Sequence, residues 1–267
     1  ALGVAGALIQ AVTRNPLADP GILGVNAGAS FAVTLGIAFL GIEAVSSYVW
    51  LAMAGAAIAS VMVFGIAAGG GKGATPLRLT LVGMALGSVL LGANRAIGLL
   101  DASIYEQVRF WEAGSVADRP PETLTSVLPF IVAGLVIALL CARPLNALAL
   151  GEDSATSLGA RVPLVRGVSL LAIMLLCGGA VAAAGPIAFI GLMIPHATRI
   201  LFGADHRTAL PAAALVGATF LIVADIAARS LASPMELPVG ILTAVCGGPF
   251  FIWLIRREGN KAKAVAA

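Results

Sequence analysis

The sequence predicts an all-α protein that crosses a membrane several times, and three observations support this. Hydrophobic residues make up 60% of the 267-residue chain, and charged residues make up only 11%. A soluble domain has roughly 25% charged residues, so this chain has too little charge to cover a water-facing surface. Mean hydropathy is +1.02. The apolar runs are also too long for strands and lack alternation, which indicates transmembrane helices.

Charges and prolines divide the chain into nine apolar runs, at about 20 residues per crossing. The predicted spans are 1–13, 21–42, 48–68, 79–100, 123–141, 167–185, 187–202, 209–232 and 237–255. The first run is short and the chain opens with Ala1, so we expect it to begin inside a helix, with upstream sequence missing. A cleaved signal peptide is the alternative, but its charged n-region is absent.

The stretch between Arg166 and Arg199 is read as two helices rather than one. It has 32 residues without a formal charge, which as a single helix would be about 48 Å long, against a hydrocarbon thickness of about 30 Å. Gly185-Pro186 lies near its middle and breaks a helix. Basic residues flank both ends of the stretch, and the positive-inside rule then requires two crossings.

The nine-span map places most cations on one side of the membrane. The predicted cytoplasmic segments are 14–20, 69–78, 142–166, 203–208 and 256–267. With Arg199 at the membrane edge, this side holds Arg14, Lys72, Arg78, Arg143, Arg161, Arg166, Arg207, Arg256, Arg257, Lys261 and Lys263. The outer segments hold mainly acids, namely Glu43, Asp101, Glu106, Glu112, Asp118, Glu122 and Glu236. The asymmetry predicts a cytoplasmic C-terminus.

Two polar segments carry local structural signals. In RNPLADPG (14–21), Asn15-Pro16 ends one helix, and Asp19 fits an N-cap with Pro20 at the first helical position. This predicts a tight cytoplasmic turn. In 143–166, Pro144 is expected to end a transmembrane helix.

Downstream in the 143–166 segment, Glu152 and Asp153 favour the start of a short helix and Gly159 its end. Such a helix on the cytoplasmic face would suit contact with another protein. An ordinary interfacial connector is the alternative, and the pattern alone favours it.

Two pairs of polar residues lie within the apolar spans, where ionisable groups are usually functional. Asp225 and Arg229 are four apart, share a helix face and can pair near the outer end of their span. A purely structural ion pair is the alternative. Asn94 and Arg95 lie near the outer end of another span. A cation there could attract an anionic substrate, or the arginine could simply snorkel to the interface.

Several other motifs are excluded. The glycine-rich stretch 69–73 is not a phosphate-binding loop, because Ile66 occupies the first glycine position and no Ser or Thr follows Lys72. We therefore expect no ATPase site in this chain. His196 and His206 lack a third ligand on the same helix face. No catalytic, metal or cofactor-binding residue is predicted, and no CxxC pair joins Cys141, Cys177 or Cys246.

Six blocks resemble one family of membrane proteins across essentially the whole chain. They are RNPLADPGILGVNAGAS (14–30), RPLNALALGEDSATSLGA (143–160), GPIAFIGLMIPHATRI (185–200), DHRTALP (205–211), ADIAAR (224–229) and ELPVGILTAVCGGPFFIWLIRR (236–257). The chain is similar to the FecCD-type permeases, the membrane subunits of ABC importers for iron chelates and cobalamin.

The resemblance implies ten helices, so that this chain lacks the first and part of the second. It implies one transmembrane domain over 1–267, with a coupling segment at about 143–166. It also implies a second permease subunit, identical or paralogous, two cytoplasmic ATPases that bind ATP, and an outer solute-binding protein, all at a bacterial inner membrane.

The resemblance also implies roles for particular residues. ATPase contacts are expected at Glu152, Asp153, Ala155, Leu158 and Gly159, with Asp205, His206 and Arg207 as secondary contacts. Arg229 matches an arginine that receives an acidic residue of the binding protein, and Asp225 would hold it in place. Glu112 stands where the family usually has an apolar residue, and whether it faces a partner or the pathway is open.

The expected function is import of an iron chelate by alternating access, driven by the separate ATPase. A ferric siderophore is the expected substrate, with haem and cobalamin as alternatives. An ATP-independent channel or a membrane enzyme would need its own selectivity or catalytic residues, and the sequence shows none.

Overall fold

The computed structural model describes residues 1–42, 45–69, 75–117, 119–232 and 237–266, and of 45–46, 232 and 257–266 it describes the backbone alone. In these residues there are eleven α-helices and one 3₁₀ helix at Pro20–Leu23. The α-helices are α1 (Leu2–Thr13), α2 (Val25–Leu40), α3 (Val45–Ala68), α4 (Pro76–Leu100), α5 (Ala102–Glu112), α6 (Pro121–Ala149), α7 (Glu152–Ser157), α8 (Val162–Ala184), α9 (Ile190–Phe202), α10 (His206–Ala232) and α11 (Val239–Ala266). The all-α class is confirmed.

Some of the charged residues from which the topology is predicted lie outside the described residues. They are Glu43, Lys72, Asp118 and Glu236 entirely, and Arg257, Lys261 and Lys263 as to their side chains.

Nine apolar helices correspond in order to the nine predicted spans. Among the described residues, α3, α4, α6, α8, α10 and α11 are long and apolar enough to cross a membrane, and α1, α2 and α9 are shorter apolar helices. Large apolar side chains are exposed along them, such as Leu99, Leu140 and Leu215. An exposed apolar surface of this extent is expected for helices that face lipid.

Helix α1 lies at the centre of the bundle although it is short. Its residues from Gly3 to Gln10 are all buried, and it packs against α8, α9 and α10. A Cβ atom at Gly6 would lie 1.9 Å from the carbonyl oxygen of Gly191. The backbones of α1 and α9 therefore touch, and glycine permits that approach.

The turn after α1 is exposed at residues 14–16, and its later part folds back into the bundle. Gln10 Nε2 donates to the carbonyls of Ala18 (3.3 Å) and Gly191 (3.4 Å). The predicted N-cap is present, because Asp19 Oδ1 accepts a hydrogen bond from Gly21 N at 2.8 Å. It caps the 3₁₀ helix, so α2 begins only at Val25, four residues later than the predicted span.

The predicted break in the stretch 167–202 is present and longer than expected. Helix α8 ends at Ala184, Gly185 has φ +76°, and α9 begins only at Ile190. Ser115 N donates to the carbonyl of Ala184 at 2.8 Å. The intervening segment 185–189 is not helical, so the predicted start of a span at 187 is three residues early.

The prediction that Pro144 ends a helix is wrong. Helix α6 continues through Pro144 to Ala149. Proline removes one backbone hydrogen bond from a helix interior, which normally kinks or ends it. Here the following residues Leu145 and Leu148 are each 1% exposed, and their burial keeps the last turns of α6 helical.

The bundle has two ends, named here by the helix that lies at each. At the α7 end, α7 and the start of α8 lie near Thr75 at the start of α4 and Ala68 at the end of α3. At the α5 end, Gly114 after α5 meets the start of α11, where Gly240 N donates to the carbonyl of Gly114 at 2.9 Å. Helix α5 itself was missed, because the sequence reading treated 101–122 as a connector.

Candidate functional sites

Helix α7 is the short helix predicted to begin at Glu152–Asp153, and it is largely exposed. Glu152 and Asp153 occupy its first turn and are exposed, and Leu158 directly after it is 67% exposed. Gly159 has φ +85°, a left-handed conformation suited to glycine just past a helix end. Ala155 is completely buried. It anchors the helix to the bundle, so it is a poor candidate for an ATPase contact.

An ion pair joins α7 to α8. Arg166 lies near the start of α8, and its Nη2 is 2.6 Å from Glu152 Oε1. Beside this pair lies a cavity of about 540 Å³ between α7, α8 and the ends of α1, α3 and α4. Helix α7 is therefore held by the ion pair, by Ala155 and by its chain connections, and it does not pack closely along its length.

The turn before α10 lies at the same end of the bundle. Asn146 Nδ2 donates to Asp205 Oδ1 at 2.6 Å, and His206 N donates to Asn146 Oδ1 at 3.0 Å. The backbone N–H of Arg207 and then the Asn146 side chain lower the pKa of Asp205 below its ordinary value. The segments 142–166 and 203–208 are thus in direct contact, as the predicted topology requires.

Asp225 and Arg229 form the expected pair in the last turns of α10. Arg229 Nε donates to Asp225 Oδ2 at 2.8 Å, and the side chains are 48% and 17% exposed respectively. Helix α10 starts at the α7 end and has 27 residues, about 40 Å at 1.5 Å per residue, so this pair lies toward the α5 end. The half-buried carboxylate orients the guanidinium, which remains accessible.

The Asn94 side chain points inward and belongs to a polar cluster within the bundle. Asn94 Nδ2 donates to Ser30 Oγ at 2.5 Å and is 3.4 Å from Glu112 Oε1. Ser30 Oγ in turn donates to Glu112 Oε1. The cluster joins α2, α4 and α5. Arg95, the next residue along α4, is exposed.

Glu112, whose charged side chain is unusual at its position, borders two cavities. The larger cavity has a volume of about 550 Å³ and is lined by the stretch from Asp19 to Ser30, the middle of α4, Glu112 and Pro186. The smaller has about 190 Å³ and is lined by Asn94, Arg95, Glu112 and residues of α5. Glu112 is itself exposed, and its carboxylate contacts Ser30 and Asn94 from the side of α5.

Sequence reasoning missed Ser30 and the role of α5, although local signals exist. Asp101 is a good N-cap, and its Oδ1 accepts from Ser103 N at 2.8 Å. Val108 and Trp111 are three apart and buried, the spacing of one helix face. Nothing in the sequence places Ser30 against Glu112, because 82 residues separate them.

The chain belongs to the FecCD transport family, whose family model matches residues 1–257. It is 51% identical over 259 residues to the ferric enterobactin transport system permease protein FepD of Escherichia coli (strain K12), a match that covers 97% of this chain and 77% of that protein. It is also 41% identical to the hemin transport system permease protein HmuU of Yersinia pestis, covering 97% of this chain and 78% of that protein.

The fold is likewise that of a solved transporter. A structure described as an inward-facing conformation of a metal-chelate type ABC transporter superposes with a TM-score of 0.87 at 31% identity, covering 96% of this chain and 81% of the other. The resemblance to FecCD-type permeases is therefore confirmed.

Proposed function

We propose that this chain is the permease subunit of a binding-protein-dependent ABC importer and that it carries a ferric siderophore across the inner membrane. The single observation that carries the proposal is the exposed helix α7, which shares the α7 end with the Asp205 turn in a chain of this family. Relatives named for ferric enterobactin and other siderophores favour that substrate. Haem is the second candidate, since a hemin permease is 41% identical.

The α7 end is the surface that we assign to the ATPase subunits. Glu152, Asp153, Leu158 and Gly159 form the main contact, and the turn at 205–207 lies beside it. ATP would bind only to the ATPase subunits. The α7 end and the C-terminus are then cytoplasmic, and the α5 end faces the binding protein, with Arg229 held by Asp225 as a docking cation.

The exposed face of α4 is assigned to the second permease subunit, identical or paralogous. Of the six long described spans, α4 has the smallest buried share. Its outward surface carries the small residues Ser88 and Gly92, and small residues permit close packing between transmembrane helices. Met84 and Ser88 also border the larger cavity, so a second subunit on this face would complete a pathway between the two.

Transport depends on ATPase contacts that differ between two conformations of the permease. ATP binding closes the ATPase pair, and α7 and the 205–207 turn move with it. The transmembrane helices then expose the pathway to each side alternately, and the chelate is not chemically changed. A motion of this kind is driven only if the ATPase contacts differ between the two states.

The experiment is reconstitution of the permease with its ATPase and binding protein in vesicles, with uptake of a ferric triscatecholate and ATP hydrolysis measured together. We expect ATP-dependent uptake, and we expect the E152A/D153A variant to hydrolyse ATP with uptake reduced at least fivefold. Glu122→Ala removes an exposed carboxylate in the first turn of α6 and is the matched control, with expected normal coupling.

A further variant separates the ATPase contact from the internal ion pair. Arg166→Gln breaks the pair to Glu152 while leaving both carboxylates on α7. If it uncouples as strongly as the double alanine, the ion pair and not the acidic surface transmits the motion. Normal coupling in the double alanine variant would remove α7 as the contact.

A further inference from the structure

The smaller cavity at the α5 end has the composition of a binding site. Its volume is about 190 Å³, and it is lined by Thr34, Asn94, Arg95, Gly98, Ile104, Tyr105, Val108, Arg109 and Glu112. Two arginines, one carboxylate, one amide, a phenol and a threonine hydroxyl therefore surround one small space. A concave site with a few convergent polar groups is typical of small-molecule recognition.

Two charges of opposite sign, Arg95 and Glu112, line this cavity without an ion-pair partner among the described residues. Arg109 Nη2 is 3.0 Å from Glu106 Oε2 and is paired with it. Arg95 makes no hydrogen bond or ion pair within the described part of the chain. Its charge is thus available to a ligand, and a guanidinium suits planar acidic oxygens.

The opposite wall of the cavity provides hydrogen-bond acceptors. Glu112 Oε1 accepts from Ser30 and Asn94, which fixes the carboxylate in place. Asn94 is 8% exposed, and its Oδ1 is buried without a hydrogen-bond partner in the described structure. Because this oxygen has almost no accessible surface, the acceptor that a ligand can reach is the Glu112 carboxylate, which is exposed. The Glu112 side of the cavity therefore suits a ligand with an N–H or O–H group.

We propose that this cavity binds one arm of the iron chelate, with an acidic oxygen of the arm at Arg95 and an N–H or O–H donor at the Glu112 carboxylate. This inference rests on the proposed function. The cavity is too small for a whole chelate, so it can bind only one limb of an anionic, oxygen-rich ligand. Arg95 then determines specificity for chelate charge.

The experiment measures equilibrium binding to the assembled transporter in nanodiscs, without binding protein or nucleotide. Two probes are used, each carrying radioactive iron: a ferric triscatecholate, which is anionic, and a ferric trihydroxamate without net charge. We expect Arg95→Gln to weaken triscatecholate binding about tenfold and to change trihydroxamate binding less than twofold. Arg95→Lys retains the charge and should lie within about threefold of the wild type.

Arg14→Gln is the matched control, because it removes the same charge at an exposed position just after α1, at the opposite, α7 end of the bundle. It should bind both probes as the wild type does. Equal loss of both probes in Arg95→Gln, or no loss of either, would overturn the subsite. The subsite would also be overturned if the wild type imports the triscatecholate in the presence of its partners but binds neither probe in the absence of the binding protein. If the wild type imports no chelate with its partners, the proposed function itself fails.

Discussion

Replacement of Gly114 by alanine tests how the α5 end is held together. Gly114 has φ +69°, and a Cβ atom there would lie 2.4 Å from the carbonyl oxygen of Pro186 and 3.1 Å from Ile187 Cγ1. A left-handed conformation costs an alanine about 1–2 kcal/mol. Overpacking against fixed backbone adds about 1–3 kcal/mol. We therefore expect Gly114→Ala to destabilise the protein by about 2–5 kcal/mol.

The control for this substitution is Gly159→Ala. Gly159 also has positive φ, +85°, but no atom lies within 4 Å of its Cβ position. The Gly159→Ala variant is therefore destabilised only by the left-handed backbone conformation, by about 1–2 kcal/mol. The difference between the two variants therefore isolates the contact with the 185–189 segment.

The assay uses the buried cysteines as reporters of unfolding. Cys141 and Cys177 are buried and Cys246 is exposed, so a Cys246→Ser background is heated in detergent with a fluorogenic maleimide. At about 2–4 °C per kcal/mol for a chain of this size, the midpoint of Gly114→Ala should fall roughly 2–12 °C below that of Gly159→Ala. Equal midpoints would refute the argument that Gly114 permits a close backbone approach.

Three further predictions concern the two ends of the bundle. Arg229→Glu should leave the transporter assembled but weaken its docking to the binding protein at least tenfold in a pull-down. Asp225→Asn should have a smaller effect. Unchanged uptake at limiting binding protein would count against this docking site. Gly159→Pro cannot adopt φ +85° and should distort the end of α7, so ATP hydrolysis should continue in vesicles without matching uptake. Normal coupling would remove Gly159 from the proposed ATPase contact. The pKa of Asp205 in the folded protein lies below the ordinary value of 3.8. Its stabilising hydrogen bonds are therefore complete above pH 3.8 and are lost as pH falls through the folded pKa. Hydrogen exchange at 203–208 should rise as these bonds are lost, and in Asn146→Ala this rise should begin at higher pH.

The sequence predicted the helices well because their physical signals are local and strong. Apolar runs gave nine spans in the right order, and Gly185-Pro186 correctly indicated a break. The error at Pro144 arose because proline weakens a helix locally, whereas the burial of Leu145 and Leu148 depends on α6 packing against other helices. Tertiary packing overrode the local signal.

The candidate sites were predictable to different degrees. Asp225 and Arg229 share a helix face, so their spacing alone indicates the pair. The Ser30–Asn94–Glu112 cluster joins three separate helices, and neither its existence nor the two adjoining cavities can be read from spacing. Glu112 was noticed only as a departure from an apolar position, which pointed to the right residue but not to its neighbours.

The empty space beside α7 has a mechanical consequence. A cavity of about 540 Å³ lies beside α7, so in the proposed importer a displacement of the ATPase subunits would move α7 before it moves the transmembrane helices. The Glu152–Arg166 ion pair would then limit how far α7 moves alone. Weakening that pair would be expected to raise ATP hydrolysis that is not matched by uptake.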